Sequence, residues 1–387
     1  MSTATGAPFN GSDVATLRTM NARTVLVTLR DATEPCSVSM LADATGLSRP
    51  TVEAVLTQLV GLGLAHEDAT RRTGATGRPA RTYGFAADAG CVIGIDAGPH
   101  GVVGLIADLA GTELASSSSE RDDLLDPLRA RAAIEACVDE LVASAGMSRA
   151  QVRVLSLGVP GIVDADGALW KSVVVPGWIE ADLAGDLRSS LPEALVRVDN
   201  DSNLAALAEY AAGTVPGVDD LVCVLLGHRV GAGLIVGGQL VRGHRGAAAE
   251  IGALDVLRWG AAVAALRERM PTATIEECFA GRTAEAREAV AAFAEDIALG
   301  LSALVLAVAP RAVVVGGGVS RASEVLLAPL RRELAVRCLY EPLVVQAAHG
   351  KEATVRGALI RALEVLVEQV ILPSVDHAVT TADGHRG

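Results

Sequence analysis

Aromatic side chains are scarce in this 387-residue chain, at 3% of the total, so alanine, valine, leucine and glycine must fill its cores. Lysine is scarcer still: 31 of the 33 basic residues are arginine. A bias that broad fits GC-rich coding, so a lone arginine carries little meaning. The six cysteines, at 36, 91, 137, 223, 278 and 338, form no CxxC pair. That scatter argues against a disulfide framework or a local zinc knuckle and fits a reducing cytoplasm. Met1 to Asp13 is polar and lacks the charged-then-apolar order of a signal peptide. No apolar run reaches the roughly 18 to 20 residues a membrane helix needs. The longest, Ala298 to Ala309, is broken by Gly300 and Ser302 and ends at Pro310, so no membrane partner is expected.

Half the residues are apolar, and the length exceeds one ordinary core, so two or three folded domains are expected. The net charge of -13 is unevenly spread. Residues 1–90 hold eight acids and eight bases, and the whole excess falls in the remainder. Two modules with different partners is the simplest reading.

The first module reads as a DNA-binding unit. Met20 to Leu29 starts a helix, and Asp31 to Pro35 supplies a turn. Ser37 to Thr45 reads as a second short helix, Gly46-Leu47 as a tight turn, and Ser48 as the N-cap of a third helix over Arg49 to Leu62. Pro50 sits in its first turn, where a missing N–H costs nothing. Val52, Val55, Leu56 and Leu59 share one inward stripe, which leaves Ser48, Arg49, Thr51 and Glu53 near the outer face. That is helix-turn-helix recognition geometry. Arg71 to Arg81 carries four arginines and no acid, then turns strand-like at Thr82 to Phe85. A basic Gly-rich hairpin in that place is a wing, with Arg78, Pro79 and Arg81 set to reach the DNA backbone or minor groove. A solvated arginine loop on a structural three-helix bundle is the alternative. Arg49 is offset by Glu53, so affinity should lean on the wing and on dimerisation.

From Cys91 onward, strands and helices alternate in two sets. Strands fit at Cys91–Ile95, Val102–Asp108, Thr112–Ser118, Val154–Val159 and Leu195–Val198, with a helix at Asp126–Ala145. The second set has helices at Ser202–Gly213, Thr283–Val308 and Glu352–Leu372, and strands at Leu221–Leu226, Ala232–Val236 and Ala312–Val315. This order predicts a duplicated, two-lobed α/β fold with a cleft between the lobes. The turn Gly94 to His100, between two strands, has the outline of an anion-binding loop, but Pro99 removes one amide.

Several motifs follow in order. They are Gly94-x-Asp96-x-Gly98, Gly158-Val-Pro-Gly161, Val198-Asp-Asn-Asp-Ser-Asn-Leu-Ala-Ala-Leu-Ala-Glu209, Gly231-Ala-Gly, Arg242-Gly-His-Arg-Gly246, Glu250-Ile-Gly252 and Val313-Val-Val-Gly-Gly-Gly-Val-Ser320. Together they resemble the ROK family of repressors and sugar kinases, over Asn21 to Leu372, and the winged helix with Gly77-Arg78-Pro79 is similar to its repressor branch. The resemblance implies an N-terminal all-α winged helix-turn-helix followed by an actin-like, RNase H-like ATPase (sugar kinase) fold. The expected division is a disordered 1–14, the DNA-binding domain at 15–88, lobe 1 at 89–200 plus 351–372, lobe 2 at 201–350, and a flexible tail at 373–387.

In active relatives, the resemblance implies, the aspartate matching Asp201 takes a proton from a sugar hydroxyl that then attacks ATP. Asn200 would orient the sugar, with Gly161 and Glu250 as further ligand contacts. The residues alone allow a second reading of Asp201 as a helix N-cap. Asp96, Gly98, Gly316, Gly317 and Gly318 match the nucleotide side, although three glycines after a strand also make a tight turn.

Departures from the family pattern recur. Gly98-Pro99-His100 stands where Gly-Gly-Thr is usual, and Gly227-His228-Arg229 where Gly-Thr-Gly is usual. Val174 replaces a sugar-binding asparagine, Ala253 replaces a histidine, and Leu254 to Met270 contains no cysteine where the family has a CxCGxxGC zinc loop. No catalytic residue, zinc, ATP or other cofactor is therefore expected, with Asp201 a vestigial base. Arg229, Arg242 and Arg245 suit an anionic ligand. The reading is a transcription regulator of carbohydrate-related genes, binding an operator with inverted repeats as a homodimer or homotetramer and sensing a sugar or sugar derivative. The alternatives are an ATP-dependent hexose kinase using Asp201, and a regulator controlled by a protein partner.

Overall fold

The computed structural model describes residues 11–68, 81–227, 229–273, 275–317 and 324–373. Helix α1 (Gly11–Arg30) begins inside the segment expected to be unstructured and nine residues before the first helical signal at Met20. It is followed by strand β1 (Cys36–Ser37), α2 (Val38–Thr45), α3 (Arg49–Gly61), β2 (Ala65–Asp68) and β3 (Thr82–Phe85). Local chemistry sets the helix-turn-helix. Ser37 accepts from the Met40 amide, Gly46 takes a left-handed φ of 70° at the end of α2, and Ser48 accepts from the Thr51 amide to open α3. Val25, Leu26, Leu29, Leu41, Val52, Leu56 and Leu59 are buried between the three helices. The expected helical region is completed by a small sheet, in the order β1-β3-β2.

Lobe 1 is built on a five-stranded sheet of β4 (Cys91–Gly98), β5 (Gly101–Asp108), β6 (Glu113–Glu120), β7 (Val152–Val159) and β10 (Leu195–Asn200), ordered β10-β7-β4-β5-β6. Helix α4 (Pro127–Ser144) covers one face together with α6 (Leu183–Ser190), and α12 (Ala353–Val365) covers the other. A short hairpin, β8 (Ile162–Val163) with β9 (Leu169–Lys171), and α5 (Pro176–Glu180) sit between β7 and α6. Lobe 2 repeats the plan with β11 (Leu221–Leu226), β12 (Val230–Val236), β13 (Gln239–Leu240), β14 (Ala312–Gly317) and β15 (Leu343–Gln346), ordered β13-β12-β11-β14-β15. Its helices are α8 (Trp259–Arg269), α9 (Ile275–Ala280), α10 (Ala284–Val308) and α11 (Glu324–Arg337). By length and composition α10 could cross a bilayer, but 67% of its most apolar stretch is buried in the lobe 2 core.

Helix α7 (Asp201–Ala211) lies between the lobes, packed on α12 and on β11 and β12. Glycine makes the close approach possible: a side chain at Gly357 of α12 would stand 1.8 Å from the Leu204 carbonyl oxygen of α7. The last helix continues from α12 into a π-helical turn over Leu366–Ile371. One continuous apolar cluster joins Val25, Leu26 and Leu29 of the helix-turn-helix to Val92 and Leu105 of lobe 1 and to Val365, Leu366 and Ile371 at the chain's end. The DNA-binding module is therefore seated on lobe 1 rather than strung from it.

Candidate functional site

The recognition face comes from the start of α3. Ser48, Arg49 and Glu53 are exposed and Thr51 is half-buried. The Ser48 and Thr51 hydroxyls are 2.8 Å apart and hydrogen-bonded to each other, so neither is wholly free for a base or phosphate. Arg81 is ion-paired: its Nε lies 3.2 Å from Glu67 Oε1, so it must leave that carboxylate to reach DNA. Arg78 and Pro79 lie outside the described residues.

In lobe 1, the expected loop from Gly94 is largely strand. β4 pairs with β5 as far as Gly98 opposite Gly101, and only Pro99 and His100 form the turn. Asp96 thus projects from the end of a ladder, not from an open nest. At the tip, His100 Nδ1 lies 3.6 Å from Asp122 Oδ1.

The N-cap of α7 is Asn200, whose Oδ1 accepts from the Asn203 amide at 2.9 Å. The capping role read for Asp201 therefore falls on its neighbour, because β10 ends one residue earlier than an aspartate cap would require. Asn200 Nδ2 also donates to the Gly161 carbonyl at 3.0 Å, which fastens the Gly-Val-Pro-Gly turn to α7. Both ends of the Asn200 amide serve the fold. Asp201, the first residue of the helix, takes the Ser202 amide at 2.7 Å on Oδ1 and keeps Oδ2 clear of these bonds. Burial pushes its carboxyl up to about 6, against the pull of the Ser202 and Asn200 hydrogen bonds. Burial, and then the charge of Asp201, pushes Asp96 up to about 7. The cleft holds two carboxyls that give up their protons reluctantly.

Lobe 2 closes the site with an arm, residues 241–258. Asp199 is buried in β10 and accepts from Arg242 Nε at 3.2 Å and also from Arg242 Nη2. Trp170 Nε1 of β9 donates to the Arg245 carbonyl at 2.8 Å, and the Arg245 guanidinium stacks 4.4 Å from the Trp170 ring centre. A side chain at Gly246 would strike the Val163 carbonyl, so the arm lies directly on the β8–β9 hairpin. Five non-glycine residues of the described chain have positive φ, and three of them, Arg245, Ala249 and Arg258, are in this arm. Strain of that kind persists where surrounding contacts over-determine the backbone. The arm presents Glu250, an exposed residue whose carboxyl is raised by burial of its inner side and by Asp201, and lowered by Lys171. Lys171, one of only two lysines, was not singled out by sequence. Its signal was its rarity, beside the Gly158-Val-Pro-Gly161 turn.

The nucleotide side is made of tight turns. Gly227 donates its amide to the Arg229 carbonyl at 3.0 Å across the hairpin between β11 and β12; His228 lies outside the described residues. Gly317, with φ of 93°, has room for no side chain, because a Cβ would stand 2.3 Å from the Leu226 carbonyl oxygen. Gly316 lies against Ala347, and Gly318 is outside the described residues. Gly316 and Gly317 answer a packing demand whether or not a nucleotide is near. In the segment that stands in place of a zinc loop, Trp259 Nε1 donates to the Ile297 carbonyl at 2.9 Å and Arg258 pairs with buried Asp296 at 2.8 Å. The described residues contain no group of three or more His, Cys, Asp or Glu suited to a metal.

Comparison with known proteins places these observations in a family. The ROK family model matches residues 92–262 and 258–365, and the IclR helix-turn-helix domain model matches residues 19–69. A glucokinase of Halalkalibacterium halodurans is 26% identical over 56% of this chain and 76% of its own length. The xylose repressor of Bacillus subtilis is 27% identical over 57% of each chain, so this chain spans little more than half of that relative. A ROK-family transcriptional regulator described as a homologue of the E. coli Mlc protein shares the fold over 93% of this chain and 99% of its own, with a TM-score of 0.71 and 18% identity. A ROK-family glucokinase from Streptomyces griseus, in complex with glucose and AMPPNP, matches 71% of this chain and 100% of its own, at 0.60 and 26% identity. The chain belongs to the ROK family, and it has the architecture of that family's transcriptional regulators, an IclR-type helix-turn-helix ahead of a sugar-kinase-like domain.

Proposed function

We propose that the protein regulates transcription from an operator, with the sugar-kinase-like domain serving to dimerise and to sense a sugar or sugar derivative. The observation that carries this reading is the shared apolar cluster between the helix-turn-helix and lobe 1, which gives the cleft a physical hold on the DNA-reading module. A ligand seated between Asp201 and Glu250 would bias lobe closure, and so the spacing of two recognition helices. The xylose repressor among the relatives supports carbohydrate-related genes as targets. DNA as partner implies a cytoplasmic location. An electrophoretic shift on the gene's own upstream region, with and without a panel of sugars, tests the reading. Salt-sensitive specific binding that weakens on Arg49→Ala is the expected result. No specific binding at any promoter sinks it.

Neither zinc nor ATP is part of the proposal. The 254–270 segment offers no thiolate, and Arg258 and Trp259 anchor it to α10 instead. The Pro99-His100 turn argues against a nucleotide cradle, and packing alone accounts for Gly317.

One observation favours a second reading, an ATP-dependent hexose kinase. Asp201 is relieved of capping by Asn200 and sits near 6, a useful value for a general base. A coupled ADP-release assay over hexoses decides between the two. Turnover that Asp201→Asn abolishes would establish the kinase.

A further inference from the structure

A cavity opens in lobe 1 between the β8–β9 hairpin and helices α5 and α6. Its floor is Leu157 and Val159 of β7 with Val198 of β10, and its walls are Trp178 of α5, Leu183 of α6 and Leu169 of the hairpin. It encloses about 440 Å³ with its open mouth included, within the roughly 300–1,000 Å³ usual for small-molecule sites. Asp96, Asn200, Asp201 and Glu250 of the cleft do not line it. Its walls are fastened in place. The Trp178 indole N–H donates to the Leu124 carbonyl at 2.9 Å, which fixes the ring. Asp164 accepts from the Asp166 and Ala168 amides, both at 3.0 Å, which holds the turn of the hairpin. A ligand therefore meets a preformed surface, and less ordering opposes binding.

Two opposite charges stand at the mouth, Asp182 and Arg188. Asp182 caps α6 from a left-handed φ of 46° and accepts from the Gly185 amide at 3.1 Å. A non-glycine residue stays in that region only where its surroundings hold it. Arg188 donates to the Gly167 carbonyl at a long 3.4 Å. The other acid of α6, Asp186, is taken by Arg131 at 2.9 Å, whereas neither Asp182 nor Arg188 forms an ion pair among the described residues. Six residues separate them, about 9 Å of helix.

We propose that this cavity binds an apolar α-amino acid, with the side chain on the Leu157, Val159 and Trp178 surface, the ammonium at Asp182 and the carboxylate at Arg188. The adjoining charges of a zwitterion bridge the gap between the two rim residues. An apolar acid would set its own negative charge beside Asp182, and an apolar amine would face Arg188; a molecule carrying both charges satisfies both. A sugar offers no apolar body to the floor. Occupancy also bears on the cleft. Leu169 precedes Trp170, which clasps Arg245, and Val198 precedes Asp199, which holds Arg242. Wall and floor are each one residue from a fastening of the lobe 2 arm. The amino acid is a second input beside the sugar, a purpose that rests on the regulator reading, although the binding itself does not.

Isothermal titration calorimetry of the full chain with L-leucine and with L-phenylalanine, without DNA or sugar, tests the site. At least one of them should bind, with a single molecule per chain. Arg188→Gln and Asp182→Asn should each weaken that binding at least ~10-fold. Both side chains are exposed and asparagine preserves the cap, so neither replacement should lower the melting temperature. The matching deaminated acid and decarboxylated amine should each bind at least ~10-fold more weakly than the parent amino acid. Ala184→Phe, which fills the cavity from α6, should abolish binding. No binding of either amino acid at millimolar concentration, an acid or amine that binds as well as its parent, or binding indifferent to the two rim replacements, overturns the proposal. Because no DNA or sugar is present, a failure here leaves the operator assay untouched, and a failed operator assay leaves this result standing.

Discussion

The Thr354 hydroxyl donates to the main-chain carbonyl of Asp201 at 3.3 Å, so the last helix is tied to the residue at the centre of the cleft. From there α12 runs along α7 and under β4, where Gly94 has no room for a Cβ against the Leu359 amide. Leu372, 18 residues on, lies about 27 Å away along a helix, in the cluster that holds Val25 and Leu26 of the helix-turn-helix. Arg23 of α1 meets Glu368 at 3.8 Å on the way. The π-helical turn at Leu366–Ile371 falls at this junction, a common place for a functional irregularity. Cleft and reader thus share one rod.

Gly357 is the tightest point of that rod. Gly357→Ala would place a methyl 1.8 Å from a backbone carbonyl that has little freedom to move. The expected cost is about 2–3 kcal/mol, read as a lower urea midpoint at unchanged m-value. A loss under about 1 kcal/mol would mean that α12 slides on α7, and the rod would lose its meaning.

Asp96 supplies a pH prediction. Its carboxyl is raised to about 7 in the fold, from an ordinary value near 3.8. Between those two values the native chain keeps a proton that the unfolded chain has released, so stability falls as pH rises from 4 to 7 and then levels. Asp96→Asn removes the penalty. It should stabilise by about 1–2 kcal/mol at pH 8, a discounted figure because the residue is partly exposed, and by little at pH 4. Thermal melts at the two pH values check it, and an equal effect at both would show that charge burial is not the cause.

Much of this was legible because the relevant chemistry is local. Ser37, Gly46 and Ser48 mark the ends of α2 and α3 by their own side chains or lack of one, and β11 is a clean apolar run. Elements without such punctuation were missed. Helix α11 carries Pro329 in its interior, and α5 and α6 are only five and eight residues long. The site was legible only in part. Motif positions led to Asp96, Asn200, Asp201 and Glu250, but the division of labour between Asn200 and Asp201 depends on where β10 ends. The clasp of Trp170 with Arg245 joins residues 75 apart and needs an arginine at a φ of 57°, which no sequence pattern announces.

Ala249 bears on that arm directly. Its φ of 64° places a methyl in the left-handed region one residue before Glu250. Ala249→Gly should relieve the strain and raise stability by up to about 1 kcal/mol, less the extra freedom glycine gives the unfolded chain. Differential scanning calorimetry provides the check. A destabilised variant would mean that contacts of the Ala249 methyl outweigh the backbone cost.

Trp170 offers an optical handle on the same arm. Trp178 and Trp259 are 1% and 2% exposed, and only Trp170 is partly open to solvent. A guanidinium stacked on its ring and a hydrogen bond from its indole make its emission sensitive to the arm's position. Arg245→Ala should shift and brighten or quench that emission while costing about 1 kcal/mol or less in stability. A sugar that seats between Asp201 and Glu250 must displace the arm carrying Glu250, so the same signal should titrate with ligand and vanish in Trp170→Phe. An Arg245→Ala spectrum identical to wild type would show that the stack does not persist in solution. A ligand-dependent change that survives Trp170→Phe would place the moving element in a buried core instead.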